Sequence, residues 1–286
     1  MENKLNKHSI LLFLALALGL SCAYWGLFFL HDHSWLPFNP SSDIMGALRG
    51  YGPSIAAFIA ATVIYGRKGT SELWMRVKMW RIPLWLFVLA VLGPMIGNLV
   101  LIIIAYFSGV ELQLNSESVP LPKLFIIFFF FAIVDGPVGE EIGWRGFLLP
   151  RFLERYGVIA ASSLLGLVWF VWHLPLYVAT DRFDITLGFF FGYLLNNVAF
   201  SFLHTWFFVR SGGSALLAII FHTASNYFVY LAVTLFPELD QSPMTQPIYH
   251  GILVIVAIIA AISLWRNPHY MIGKVDNPTA INAVQS

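Results

Sequence analysis

The chain has a single cysteine, Cys22, among its 286 residues. One thiol excludes an internal disulfide and any cysteine cluster for zinc or iron–sulfur binding. Charge is scarce too. Asp, Glu, Lys and Arg make up 11% of the residues, against roughly one quarter in an ordinary soluble domain, while 58% are hydrophobic. The 16 basic residues nearly cancel the 15 acidic ones, so net charge gives no reason to expect a nucleic-acid partner. Internal repeats, low-complexity tracts and a soluble domain are also missing, which leaves one structural domain.

Long apolar runs are what the chain has in quantity. A membrane-spanning helix needs about 20 mostly apolar residues, and such runs lie near 10–30, 46–66, 83–107, 121–143, 158–179, 185–209, 213–236 and 249–265. The expected fold is an all-α polytopic membrane protein with about eight transmembrane helices. Cys22 falls within the first run and reads as buried there; Gly19-Leu20-Ser21 before it matches a lipoprotein cleavage site poorly. Basic residues collect in cytoplasmic loops. Lys4 and Lys7 precede the first run, Arg67, Lys68, Arg76, Lys78 and Arg81 follow the second, and Arg145, Arg151 and Arg155 follow the fourth. With Arg210, Arg266 and Lys274 on the same side, only Arg49, Lys123 and Arg182 lie opposite, among Asp32, Asp43, Glu111, Glu117, Asp181, Asp184, Glu238 and Asp240. Both termini are thereby expected in the cytoplasm. Within the single domain, residues 1–120 carry three helices without a motif, 121–236 form the motif-bearing core, and 237–286 supply the last helix and a short tail.

A charge at mid-membrane costs at least about 2.5–3.5 kcal/mol on insertion scales, so polar residues inside these runs mark function or a buried pair. The densest group is Asp135-Gly136-Pro137-Val138-Gly139-Glu140-Glu141-Ile142-Gly143-Trp144-Arg145. On a helix Glu141 and Arg145 stand four apart with the acid N-terminal, the favourable order for an ion pair. Glu140 points about 100° away and stays free for another task. Gly136, Gly139 and Gly143 offer small surfaces for a closely packed neighbour. In the fifth run Trp169 and His173 share a face, and Pro175 is expected to kink the helix and release the Val171 carbonyl near the histidine. In the seventh run His222 and Asn226 share a face. His204, Asn196 and Asn197 in the sixth run form no spaced pair and read as helix-packing residues.

A carboxylate and an imidazole can activate water, while a second histidine and an amide donate to the oxygen that becomes negative in a tetrahedral intermediate. Glu140, His173, His222 and Asn226 thus suit peptide hydrolysis. Ser162, Ser163, Ser201, Ser214 and Ser225 lack a glycine-flanked elbow, which leaves water as the nucleophile. Zinc held by Glu140, His173 and His222 is the alternative; no His-Glu-x-x-His helix supports it. A binding or immunity role without turnover is a second reading. A proton-coupled transporter is a third, although the halves of the chain lack the symmetry expected of one.

Glu140-Glu141-x-x-x-Arg145, Trp169-x-x-x-His173 and His222-x-x-x-Asn226 resemble, in order and spacing, the three motifs of the CAAX-protease and bacteriocin-processing family of intramembrane proteases. The approach to the third, from Thr205-Trp206 through Arg210-Ser211-Gly212-Gly213-Ser214 to Phe221-His222, is similar to the prokaryotic branch. The resemblance covers about residues 121–230, and Trp169 stands where the family usually has Phe. It implies that Glu140 and His173 activate water, that His222 and Asn226 stabilise the oxyanion, and that Glu141 and Arg145 hold the site together, without a metal. Few charges and short loops point to the plasma membrane of a bacterium, with a peptide or protein tail as substrate and membrane lipid as surroundings.

Depth conflicts with a simple eight-rod picture. At 1.5 Å per residue, His222 lies about 13 Å and His173 about 24 Å from the cytoplasmic starts of their runs, with Glu140 nearer the surface. The fourth helix is therefore expected to continue past Glu141 towards Pro150. The fifth should begin after residue 158, leaving 151–157 at the membrane interface.

Overall fold

The computed structural model describes residues 2–38, 49–115, 121–133, 136–180 and 186–266, and every regular element among them is helical. α1 (Glu2–Asp32) is followed by a 3-10 turn (Arg49–Tyr51) that leads into α2 (Gly52–Val77). Then come α3 (Leu84–Phe107), α4 (Leu121–Ile133), a short α5 (Pro137–Glu141), a π-helical turn (Ile142–Leu148) and α6 (Leu149–Thr180). α7 (Leu187–Arg210), α8 (Ala215–Leu235), a short α9 (Glu238–Gln241) and α10 (Thr245–Arg266) follow. Asp43, Glu117, Asp135, Asp181, Arg182, Asp184, Lys274 and the tail after Asn267 lie outside the described residues.

Six stretches among the described residues are long and apolar enough to cross a membrane: Lys7–Asp32, Leu84–Phe107, Lys123–Ala179, Leu187–Arg210, Ala215–Leu235 and Thr245–Arg266. The third absorbs two of the expected runs. α2 falls short because Pro53, Ser54, Arg67 and Lys68 dilute its apolar content. The protein is a polytopic all-helical membrane protein. Ile96, Val100 and Ile103 on α3 and Ile255, Ile258, Ile259 and Ile262 on α10 are exposed. Such rows of exposed aliphatic side chains suit contact with lipid, which solvates them as water cannot. Cys22 lies on α1 as expected but faces outward rather than inward.

The core is densest where α1, α2, the π-helical turn and α6 meet. Phe13 of α1 stacks on Phe147 at 5.1 Å between ring centroids and meets the edge of Trp144 at 5.5 Å. Ala56, Ala57, Ala60 and Ala61 of α2 are buried in the same cluster. These small side chains let backbones approach closely, the packing expected where lipid removes much of the hydrophobic drive between helices.

Local breaks reshape the motif segment. The expected fourth run does not continue unbroken to residue 143: Gly136 has φ 111°, and Pro137 restarts the helix in its first turn. A positive φ is costly for a side-chain-bearing residue, whereas glycine adopts it freely, and proline suits a first turn because its missing N–H has no helical acceptor there. Helix then runs past Glu141 through Pro150, as anticipated, and breaks at Gly157 (φ 74°, ψ 171°). Pro175 is accommodated within α6, where the backbone departs from helical torsions at Gly157 instead. Capping is clearer further on. Thr186 Oγ1 accepts from Phe189 N at 3.1 Å to start α7, and Ser214 Oγ accepts from Leu217 N at 3.1 Å to start α8. Ser214 Oγ also donates to the Met79 carbonyl at 2.8 Å, tying the start of α8 to the α2–α3 connection.

Candidate active site

Glu140 and Glu141 close α5, and Arg145 lies in the π-helical turn after them. Such turns widen the helix by one residue and redirect the side chains that follow. Glu141 and Arg145 are both 0% exposed, and Arg145 Nη1 donates to Glu141 Oε1 at 2.9 Å. The pair read from the i,i+4 spacing therefore forms, inside the protein. The same Oε1 lies 2.8 Å from His222 Nδ1. An ionised carboxylate only accepts, so this contact puts a proton on Nδ1 and leaves the Nε2 edge of His222 for other work.

Glu140 has a different set of partners. Trp169 Nε1, on α6, donates to Glu140 Oε2 at 2.6 Å. The Trp169 indole is the hub of the site: the Arg145 guanidinium carbon lies 4.4 Å from its ring centroid, and the rings of His173, His204 and His222 lie 5.7, 5.6 and 5.4 Å away. His173 Nδ1 sits 2.8 Å from the Trp169 carbonyl. A carbonyl also only accepts, which fixes the neutral tautomer with Nδ1–H and a lone pair on Nε2.

A cavity of about 700 Å³ takes in Glu140, His173, His222 and Asn226 together, with Trp169, Tyr177, Tyr193 and Tyr249 among its aromatic walls. Ser225 also lines it, but its hydroxyl donates to the Phe221 carbonyl at 2.8 Å. The depth conflict is relieved by the breaks at Gly136 and Gly157 and by the widened turn between them, which permit offsets that straight rods would not.

Two further details concern α7. His204, read as a packing residue, is fully buried with Nε2 3.7 Å from Glu141 Oε1, and its ring lies 5.5 Å from that of His222. Its Nδ1 meets the Phe200 carbonyl at 2.8 Å, which leaves Nε2 as the acceptor edge facing the carboxylate. Asn196 and Asn197, also read as packing residues, line the cavity, with the Asn197 amide donating to the Tyr193 carbonyl at 2.8 Å. No spacing rule flags His204, because its partners belong to other helices.

Glu141, His204 and His222 offer ligand atoms within 4.8 Å of one another. This triad differs from the Glu140, His173 and His222 set considered from the sequence. Arg145 and His222 donate to Glu141 Oε1 while Oε2 has no partner, and the fixed guanidinium charge beside the carboxylate opposes a second cation.

Residues 122–228 match the family described as type II CAAX prenyl endopeptidase Rce1-like. Among curated proteins, CAAX prenyl protease 2 of Methanococcus maripaludis is 28% identical over 125 residues, covering 42% of this chain and 43% of that relative. The matched part thus spans less than half of the relative's length.

Proposed function

We propose that the protein is an intramembrane endopeptidase whose Glu140 and His173 activate water, a reading supported by the match of residues 122–228 to the Rce1-like CAAX endopeptidase family. The observation that carries this reading is the shared cavity: Glu140, His173, His222 and Asn226, drawn from three segments, line one space of about 700 Å³. A peptide entering it brings its scissile carbonyl past all four.

The chemistry follows from the free edges. Glu140 Oε2 is held by the Trp169 indole, so Oε1 takes the proton from water while the His173 Nε2 lone pair orients that water by accepting its other hydrogen. Oxygen attacks the carbonyl carbon, and negative charge collects on the carbonyl oxygen. The Asn226 amide and a proton on His222 Nε2 donate to it. Glu141, bonded to His222 Nδ1 and Arg145, balances the charge on a doubly protonated imidazole. Glu140 then delivers its proton to the departing amine, and both peptide ends leave with the enzyme unchanged. In this scheme Glu141 and Arg145 act through His222, and no metal takes part.

The proposal extends to the setting. Short loops and few charges suit the plasma membrane of a bacterium, with small membrane-associated peptides or protein tails as substrates. The relative in Methanococcus carries a prenyl protease name, whereas the substrate of this chain is left to experiment. The deciding test is a peptide library offered to the purified protein in nanodiscs, with Glu140→Ala and His173→Ala beside it. Cleavage lost in both variants supports the mechanism. A wild-type protein that binds peptides but cleaves none would favour a peptide-binding role in the same cavity.

A further inference from the structure

Residues 50–54 carry no motif, yet they press on the turn that bears Glu140. A Cβ on Gly139 would come within 2.5 Å of the Gly50 carbonyl oxygen and 2.9 Å of Tyr51 Cα. One on Gly143 would meet the Pro53 carbonyl at 2.5 Å, and one on Gly50 would meet Gly136 Cα at 2.9 Å. Backbone thus lies on backbone at Gly50, Gly139 and Gly143, where the nearest atoms to an added Cβ include main-chain atoms that cannot easily give way. Into this contact Ser54, 5% exposed, sends one hydroxyl proton towards two carbonyls, Gly139 O at 2.5 Å and Val138 O at 3.1 Å. Those carbonyls lie just before Ile142, where the helix widens into its π turn. At such a transition the backbone pairing shifts by one residue, so a carbonyl there needs another donor.

Resting on the protease reading, we propose that Ser54 is a positioning residue for Glu140: its hydroxyl locks the α5 turn against the start of α2 and so sets where the carboxylate meets water. Glu140 directly follows one of the two acceptors, and its own N–H bonds back to Gly136 O at 2.7 Å. Sliding or rotation of this short turn would carry Glu140 away from Trp169. The motif-free part of the chain is then a working part of the site. Catalytic geometry is sensitive on this scale, since a misplacement of about 1 Å can cost about 100-fold in rate.

The test uses the full chain in nanodiscs labelled with 5-fluorotryptophan, with the Trp169 fluorine resonance assigned by its loss in Trp169→Phe. Glu140→Ala marks the resonance without its carboxylate partner. Ser54→Ala should move the resonance towards that position and lower kcat by about 10- to 100-fold, with KM and Tm nearly unchanged. Ser54→Thr, which keeps the hydroxyl, should restore both readouts. Gly139→Ala, pressing on Gly50 from the other side, should move the same resonance. An unmoved resonance in Ser54→Ala and Gly139→Ala, or a lowered Tm without movement, overturns the role and leaves packing alone. If the wild type cleaves no peptide, the protease reading fails while the resonance still decides the positioning role.

Discussion

Glu140 and Glu141 are neighbours in sequence, both buried, yet they sit in opposite surroundings. Glu141 faces a closed cluster of Arg145, His222 and His204, in which its Oε1 already receives two donors. Glu140 faces an open cavity and is held through one oxygen by the Trp169 indole. Glu141 is sealed, its Oε2 buried without a hydrogen-bond partner, whereas Glu140 borders the cavity. In the proposed scheme the difference separates holding a site from working in it, although both residues belong to the same motif.

If that contrast is right, breaking the closed side should do the most harm. Arg145→Ala strands a buried carboxylate, and removing one partner of such a pair costs about 3–5 kcal/mol. A large fall in Tm with loss of all cleavage is expected. A variant that unfolds no earlier than wild type would mean that Glu141 does not need its cation. On the open side, Glu140→Gln retains an oxygen able to accept from Trp169 but cannot take a proton from water. Cleavage should fall by about 100- to 10,000-fold, the usual contribution of general base catalysis, while Tm stays close to wild type. Peptide turnover and calorimetry on one preparation would separate the two glutamates.

Trp169→Phe sharpens the comparison at the hub. It removes the indole donor to Glu140 but keeps a ring beneath Arg145. A hydrogen bond to a charged group contributes about 1.5–3 kcal/mol, so kcat should drop by about 10-fold or somewhat more, with little change in KM. Equal losses in kcat and Tm would point to packing instead. The smallest effect is expected from a metal chelator, because the Arg145 charge beside Glu141 opposes a second cation. Turnover unaltered after dialysis against chelator supports the metal-free scheme, whereas loss restored by added zinc would put a metal at the histidines.

Legibility differed across the molecule for physical reasons. The Glu141–Arg145 pair was readable because an i,i+4 relation lies within one helical segment, and a π turn starting at Ile142 still left the partners in reach. His173 and Asn226 were singled out as polar residues inside apolar runs, and both line the cavity. His204 reads from the sequence as a packing residue; its further relation to Glu141 runs between helices and leaves no spacing behind. The break at Gly136 was invisible to a hydropathy count, which runs smoothly through glycine. Ser54 offered no signal at all: a serine in the first turn of an alanine-rich helix looks like many others until the carbonyls it faces are known.

The sequence by itself determined that the chain enters a membrane, that it does so as helices, and which polar side chains sit inside the apolar runs. Those properties follow from composition and from local periodicity. Only the tertiary structure decided that Glu140 opens onto the cavity while Glu141 is sealed, that His204 lies beside Glu141, and that the start of α2 packs on the turn bearing Glu140. These depend on how long helices approach after each local break. A change in direction at Gly136 or Gly157 is amplified along the helix it redirects, and close packing against small residues then selects one arrangement.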